Sequence, residues 1–206
     1  MRTVIIILVV LIFGFGLWWF LGRKDSSPTK NADKQQPLAI SQHSDGFNQS
    51  VDRLMNTYYS MTDDFVNWDS TDVVAKATEL KTDLDSLKLN ELKDTTIYET
   101  AKVFVDNAHR DIEKIETADD LENKRRSLNS LTENLFNFLR VVQYDRAKLY
   151  LQECPMAFND EEPGMWLSKS PEIVNPYLGT HHPRYGKGML HCGETKETLN
   201  YTGANE

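Results

Sequence analysis

The chain has 206 residues, with 23 Lys and Arg against 31 Asp and Glu, and a formal net charge of -8. Such a length holds one domain of roughly 160 residues plus appendages, enough for a core that needs no disulfides. The acidic balance speaks against nucleic acid as a partner, because that ligand requires a basic face.

Residues 4–21 form an unbroken apolar run with Arg2 before it and Arg23 and Lys24 after it. At a rise of about 1.5 Å per residue this run reaches roughly 27 Å, close to the thickness of a bilayer core. It ends in Trp18, Trp19 and Phe20 rather than in the small residues of a cleavage site, so an uncleaved transmembrane anchor is expected. Residues 23–43 are rich in Ser, Lys, Asn, Asp, Gln and Pro, the composition of a disordered linker.

No glycine lies between Gly46 and Gly164 and no proline between Pro37 and Pro155, so more than a hundred residues lack the strong helix breakers. Phe47, Val51, Leu54, Tyr58, Met61, Phe65 and Trp68 recur at steps of three and four, which predicts one apolar stripe of a helix. A second helix, capped by Asp69 or Ser70, carries Val73, Ala77, Leu80, Leu84 and Leu87, and a third carries Ile97, Ala101, Phe104, Ala108, Ile112 and Ile115. Thr117, Ala118, Asp119 and Asp120 resemble a capping box that opens a fourth, with Leu121, Leu128, Leu131, Leu135, Phe138 and Val142. Short connections between amphipathic helices predict an antiparallel four-helix bundle. The expected architecture is therefore all-α. It comprises a transmembrane anchor at 1–22, a linker at 23–43, the bundle at 44–145, an irregular Cys- and Met-bearing segment packed on it at 146–200, and a tail at 201–206. Residues 148–152 alternate weakly, like a short strand leading into that segment.

Residues 154–193 hold both cysteines, three of the six methionines and three of the five histidines. The spacing leaves a disulfide, a shared metal or free thiols open. Proline after Cys154 pushes it toward extended backbone, where Cys154 and Met156 project to one side. In the other arm, Met189 aligns with Cys192 if the segment makes a helical turn, or with His191 if it is extended. Thiolate with thioether suits Cu(I), so the candidate metal ligands are Cys154, Met156, Met189, Cys192 and His191. Zn(II) is the fallback, held by Cys154, Cys192 and two of His181, His182 and His191. A Cys154–Cys192 staple without metal, on a helical protein-interaction module, is the alternative, as is thiol redox chemistry. No Cys-x-x-Cys, His-Glu-x-x-His, Gly-x-Ser-x-Gly or glycine-rich phosphate loop is present, so an enzyme is not expected.

Cys154-Pro-Met-Ala157, Trp166-Leu-Ser168, Ile173-x-Asn-Pro-Tyr-x-Gly179 and Met189-Leu-x-Cys-Gly193, preceded by helices, resemble a bacterial domain-of-unknown-function family, number 3347. The resemblance extends over about residues 44–200 and departs from the family in the inserted loop 180–188. It implies an extracytoplasmic soft-metal role beside heavy-metal efflux adaptors or pumps, carried by Cys154, Met156, Met189 and Cys192. Together with the apolar run, it leads to the expectation of a single-pass inner-membrane protein whose soluble domain lies in the periplasm.

Overall fold

The computed structural model describes residues 41–203. Four α-helices come first: α1 (Asp45–Asn67), α2 (Ser70–Asp85), α3 (Thr95–Thr117) and α4 (Leu121–Val142), with a 3-10 turn at Leu89–Glu91. Three strands follow: β1 (Leu149–Phe158), β2 (Glu162–Ser168) and β3 (Glu194–Leu199).

Each helix starts on a side-chain oxygen that satisfies otherwise orphaned backbone donors. Ser44 Oγ accepts from Phe47 N at 3.1 Å, Asp69 from Thr71 N and Asp72 N, and Asp94 from Thr96 N and Ile97 N. The cap of α4 is Asp120, which accepts from Asn123 N at 2.7 Å, whereas Thr117 ends α3. The expected capping box is therefore shifted by three residues. Phe47, Val51, Leu54, Tyr58, Met61 and Phe65 of α1 are buried along one stripe, together with Leu128, Leu131, Leu135 and Phe138 of α4. Each fully buried aliphatic side chain contributes about 1.5–3 kcal/mol by removal from water.

The all-α expectation is wrong in the C-terminal part. Instead of irregular chain, a three-stranded antiparallel sheet in the order β2-β1-β3 follows the helices. β1 pairs with β2 from Tyr150–Ser168 to Cys154–Gly164 and with β3 from Leu149–Leu199 to Glu153–Glu194. Only its first residues alternate legibly. Beyond Cys154 a bulge sets Pro155, Met156 and Ala157 against Pro163 alone, which is where a strand tolerates a proline that cannot donate to the ladder. β3, Glu-Thr-Lys-Glu-Thr-Leu, is nearly all exposed, and charge of this kind keeps an edge strand from pairing with other chains.

The opposite edge is covered by the helices. Met165 N donates to Asn129 Oδ1 of α4 at 2.7 Å, and Leu167 N donates to Tyr58 Oη of α1 at 3.1 Å. The same hydroxyl shares a 2.7 Å hydrogen bond with Thr132 Oγ1, so one buried hydroxyl joins α1, α4 and β2. Burial pushes the Tyr58 hydroxyl up to about 12, against the opposing effect of the hydrogen bonds to Thr132 and Leu167.

No helix among the described residues is long and apolar enough to cross a membrane. This corrects the expected single-pass inner-membrane protein with a periplasmic domain, and the run at 4–21 on which that expectation rests lies outside the described residues.

Candidate functional site: a buried dithiol on the sheet

Cys154 lies on the central strand opposite Gly164, and Gln152 opposite Trp166. By strand alternation these four positions share a face, and the chain after β2 returns to cover it. Gln152 Nε2 donates to the carbonyls of Ser170 and Glu172, each at 3.1 Å, holding the start of that cover. The Trp166 ring lies 6.1 Å from the Tyr177 ring, edge to face. Both glycines at this face are required by close approach. A Cβ on Gly164 would fall 2.7 Å from the Tyr177 ring, and one on Gly193 would fall 2.7 Å from the Glu153 carbonyl oxygen.

Gly193 follows Cys192, and its fit against β1 delivers the second sulfur. The Cys154 thiol is fully buried, the Cys192 thiol half-buried, and neither is in a disulfide. The Cys192 thiol lies close enough to Cys154 to disfavour its ionisation. Burial pushes the Cys154 thiol up to about 11; hydrogen bonds from the Met156 backbone and the Asn175 amide oppose this, and the neighbouring Cys192 adds to it. At neutral pH Cys154 is therefore a protonated thiol, not the thiolate of a reactive nucleophile.

The Met189–Cys192 arm is a turn, with Cys192 N donating to the Met189 carbonyl at 3.0 Å and Leu190 N to that of Lys187 at 3.2 Å. This is the turn alternative of the two expected geometries, in which Met189 and Cys192 lie one above the other. Met156 sits in the β1 bulge, which interrupts the strict alternation expected to align it with Cys154, and both Met156 and Met189 pack half-buried against the core.

The histidines go elsewhere. His191 is exposed, and its Nδ1 donates to the Ile173 carbonyl at 2.7 Å. His181 Nδ1 pairs with Thr180 Oγ1 at 2.8 Å. His182 stacks on Tyr185 and meets the edge of Trp68 at 5.8 Å, and its Nδ1 accepts from Arg184 N and Tyr185 N. Among the described residues, no three His, Cys, Asp or Glu side chains are grouped to hold a metal ion. The zinc set of two cysteines and two histidines is thus not assembled, and His191 does not complete a three-ligand group with the cysteines.

In the sequence Asn175 stands only as part of a motif, with no role attached to it. The residue is fully buried. Its Nδ2 donates to the Cys192 carbonyl at 2.8 Å, and its Oδ1 accepts from Tyr177 N at 2.8 Å and Leu178 N at 3.1 Å; its amide also lies beside the Cys154 thiol. An asparagine before proline is a turn signal in the sequence; which chain it faces is not.

The same loop is pinned to the helices by Arg125, a buried cation with no carboxylate in salt-bridge contact among the described residues. Its Nε donates to the Pro176 carbonyl at 3.0 Å, one terminal nitrogen to that of Phe65 at 3.1 Å, and its guanidinium lies 4.0 Å from the Trp68 ring. Burial lowers its affinity for the proton to about 10, still well above neutrality. Trp68 Nε1 in turn donates to the Leu178 carbonyl at 3.0 Å.

The family model for "Protein of unknown function (DUF3347)" matches residues 54–146. Residues 54–146 are thus similar to this family, the one that the motifs resemble. The match runs from within α1 to just past α4 and stops short of β1, so the dithiol lies outside it, and it carries no association with efflux adaptors. No curated protein and no solved structure matches the chain.

Proposed function

We propose that the chain is a Cu(I)-binding protein that buffers copper or passes it to an efflux partner by ligand exchange. The observation that carries this reading is the approach of the Cys192 thiol to the Cys154 thiol, 38 positions apart in sequence. Two thiolates suffice for a soft d10 cation such as Cu(I), whereas zinc asks for four ligands. Met156 and Met189, one in each arm, supply thioethers that Cu(I) accepts and harder cations do not. Uptake displaces the Cys154 proton, so the apparent affinity rises with pH over the range in which that thiol is protonated. The asymmetry of burial suits transfer: an incoming sulfur reaches the metal on the half-exposed Cys192 side while buried Cys154 retains it.

The test is a titration of the full chain, reduced and anaerobic, with Cu(I) against a competing chelator, beside a Cys154→Ser, Cys192→Ser double variant. One copper bound tightly per chain, and lost in the double variant, is the expected result. A reduced wild type that leaves all copper with the chelator overturns the reading. If the protein as isolated then has no free thiol, the pair is a structural staple.

A further inference from the structure

We infer that Asn175 is the positioning residue of the dithiol: a single buried carboxamide bridges the two cysteines and sets the separation of their sulfurs. The inference deepens the copper reading and rests on it for its role, though not for its geometry.

A primary amide has two N–H donors and an oxygen with two lone pairs. At Asn175 one donor goes to the Cys192 carbonyl and the oxygen takes the backbone N–H groups of Tyr177 and Leu178, while the carboxamide lies close enough to the Cys154 thiol to favour its ionised form. The backbone of Asn175 adds a second tie to the Cys192 arm, since its N–H donates to the Leu190 carbonyl at 2.9 Å. The amide is itself immobile, because the next residue is fastened to α4 through the Pro176–Arg125 bond and the Tyr177 hydroxyl donates to the Met165 carbonyl on β2. The Cys192 arm has no strand pairing of its own until β3 begins at Glu194. What fixes it is this residue, together with the fit of Gly193 and the His191–Ile173 hydrogen bond.

Aspartate at 175 keeps the oxygen that closes the turn but has no N–H to offer either cysteine. Lysine at 125 loosens the same loop while leaving the amide in place. Asn175→Asp and Arg125→Lys therefore separate positioning of the sulfurs from general stability of the loop. Three quantities are read on the full chain: the melting temperature, the Cu(I) affinity, and the glutathione ratio at which the Cys154–Cys192 disulfide is half-formed, which requires no metal. Asn175→Asp is expected to weaken Cu(I) binding by about 10–100-fold, the usual cost of removing a hydrogen bond that orients a ligand. It is also expected to disfavour the disulfide about tenfold, which is about 30 mV for a two-electron couple. Arg125→Lys should lower the melting temperature with less than a twofold change in either site quantity. If Asn175→Asp leaves the disulfide equilibrium unchanged, or shifts it no more than Arg125→Lys does, the inference fails. Should the wild type bind no copper while the disulfide equilibrium still responds to Asn175→Asp alone, the copper reading falls and the positioning role stands.

Discussion

The helices and the C-terminal segment are built on different length scales. In α1 to α4 nearly every backbone bond joins residues four apart, each start is capped from within three residues, and packing follows from a stripe. In residues 149–199 the decisive bonds are distant: Leu149 pairs with Leu199, Asn175 ties to Cys192, and Leu167 to Tyr58. The first region makes its shape locally. The second takes its shape from what it touches, so damage to the helices should reach the dithiol, while damage to the cover should leave the helices standing.

The largest effect is expected from Leu131→Ala, which empties a fully buried position in the helical core. A loss of about 2–5 kcal/mol follows from such truncations, measurable by urea unfolding, and both regions should melt together because β2 is fastened to α1 and α4. Separate transitions for helices and thiols would break the comparison. Gly179→Ala strikes the joint itself. That residue has φ +53°, and a Cβ there would lie 2.3 Å from the Val66 carbonyl oxygen, which also accepts from Thr180 N and Oγ1. A cost of about 3 kcal/mol is expected, with the helical circular dichroism retained and the Cys154 thiol opened to alkylation.

The dithiol gives the second region a pH signature. The folded state holds the Cys154 proton up to about pH 11 against an ordinary 9.0. Between those values the unfolded chain loses its proton first, so stability is whole below pH 9 and falls as pH rises toward 11. Reduced wild type compared with Cys154→Ser isolates this loss, because Tyr58 titrates in both proteins. Parallel stability curves for the two would show that the thiol is not buried. The smallest effect belongs to local structure alone: Asp94→Ala removes the α3 cap and should cost about 1 kcal/mol with thiol accessibility unchanged.

Three- and four-residue steps and the absence of Gly and Pro made the four helices legible in the sequence, and the cluster of Cys, Met and Gly marked the segment that carries the dithiol. The strands were hidden for physical reasons. β1 is broken by Pro155 at a bulge, β2 begins among Pro163 and Gly164, and β3 has almost no apolar residue because it is an exposed edge. Thr117 looked like a cap because the capping-box pattern is satisfied there, yet Asp120 is the residue whose side chain meets the helix start. Likewise the histidines share the segment with the cysteines but are spent on Ile173, Thr180 and Tyr185, which spacing alone does not reveal.

Sequence by itself determined the periodic part, because a helix closes its hydrogen bonds within four residues and needs only a stripe to bury. Tertiary structure alone decided the sheet, the approach of Cys192 to Cys154, and the hydrogen bonds of Asn175. Each of these depends on a partner tens of residues away, and the free energy that selects it comes from burial and from satisfying polar groups that the chain order does not bring together.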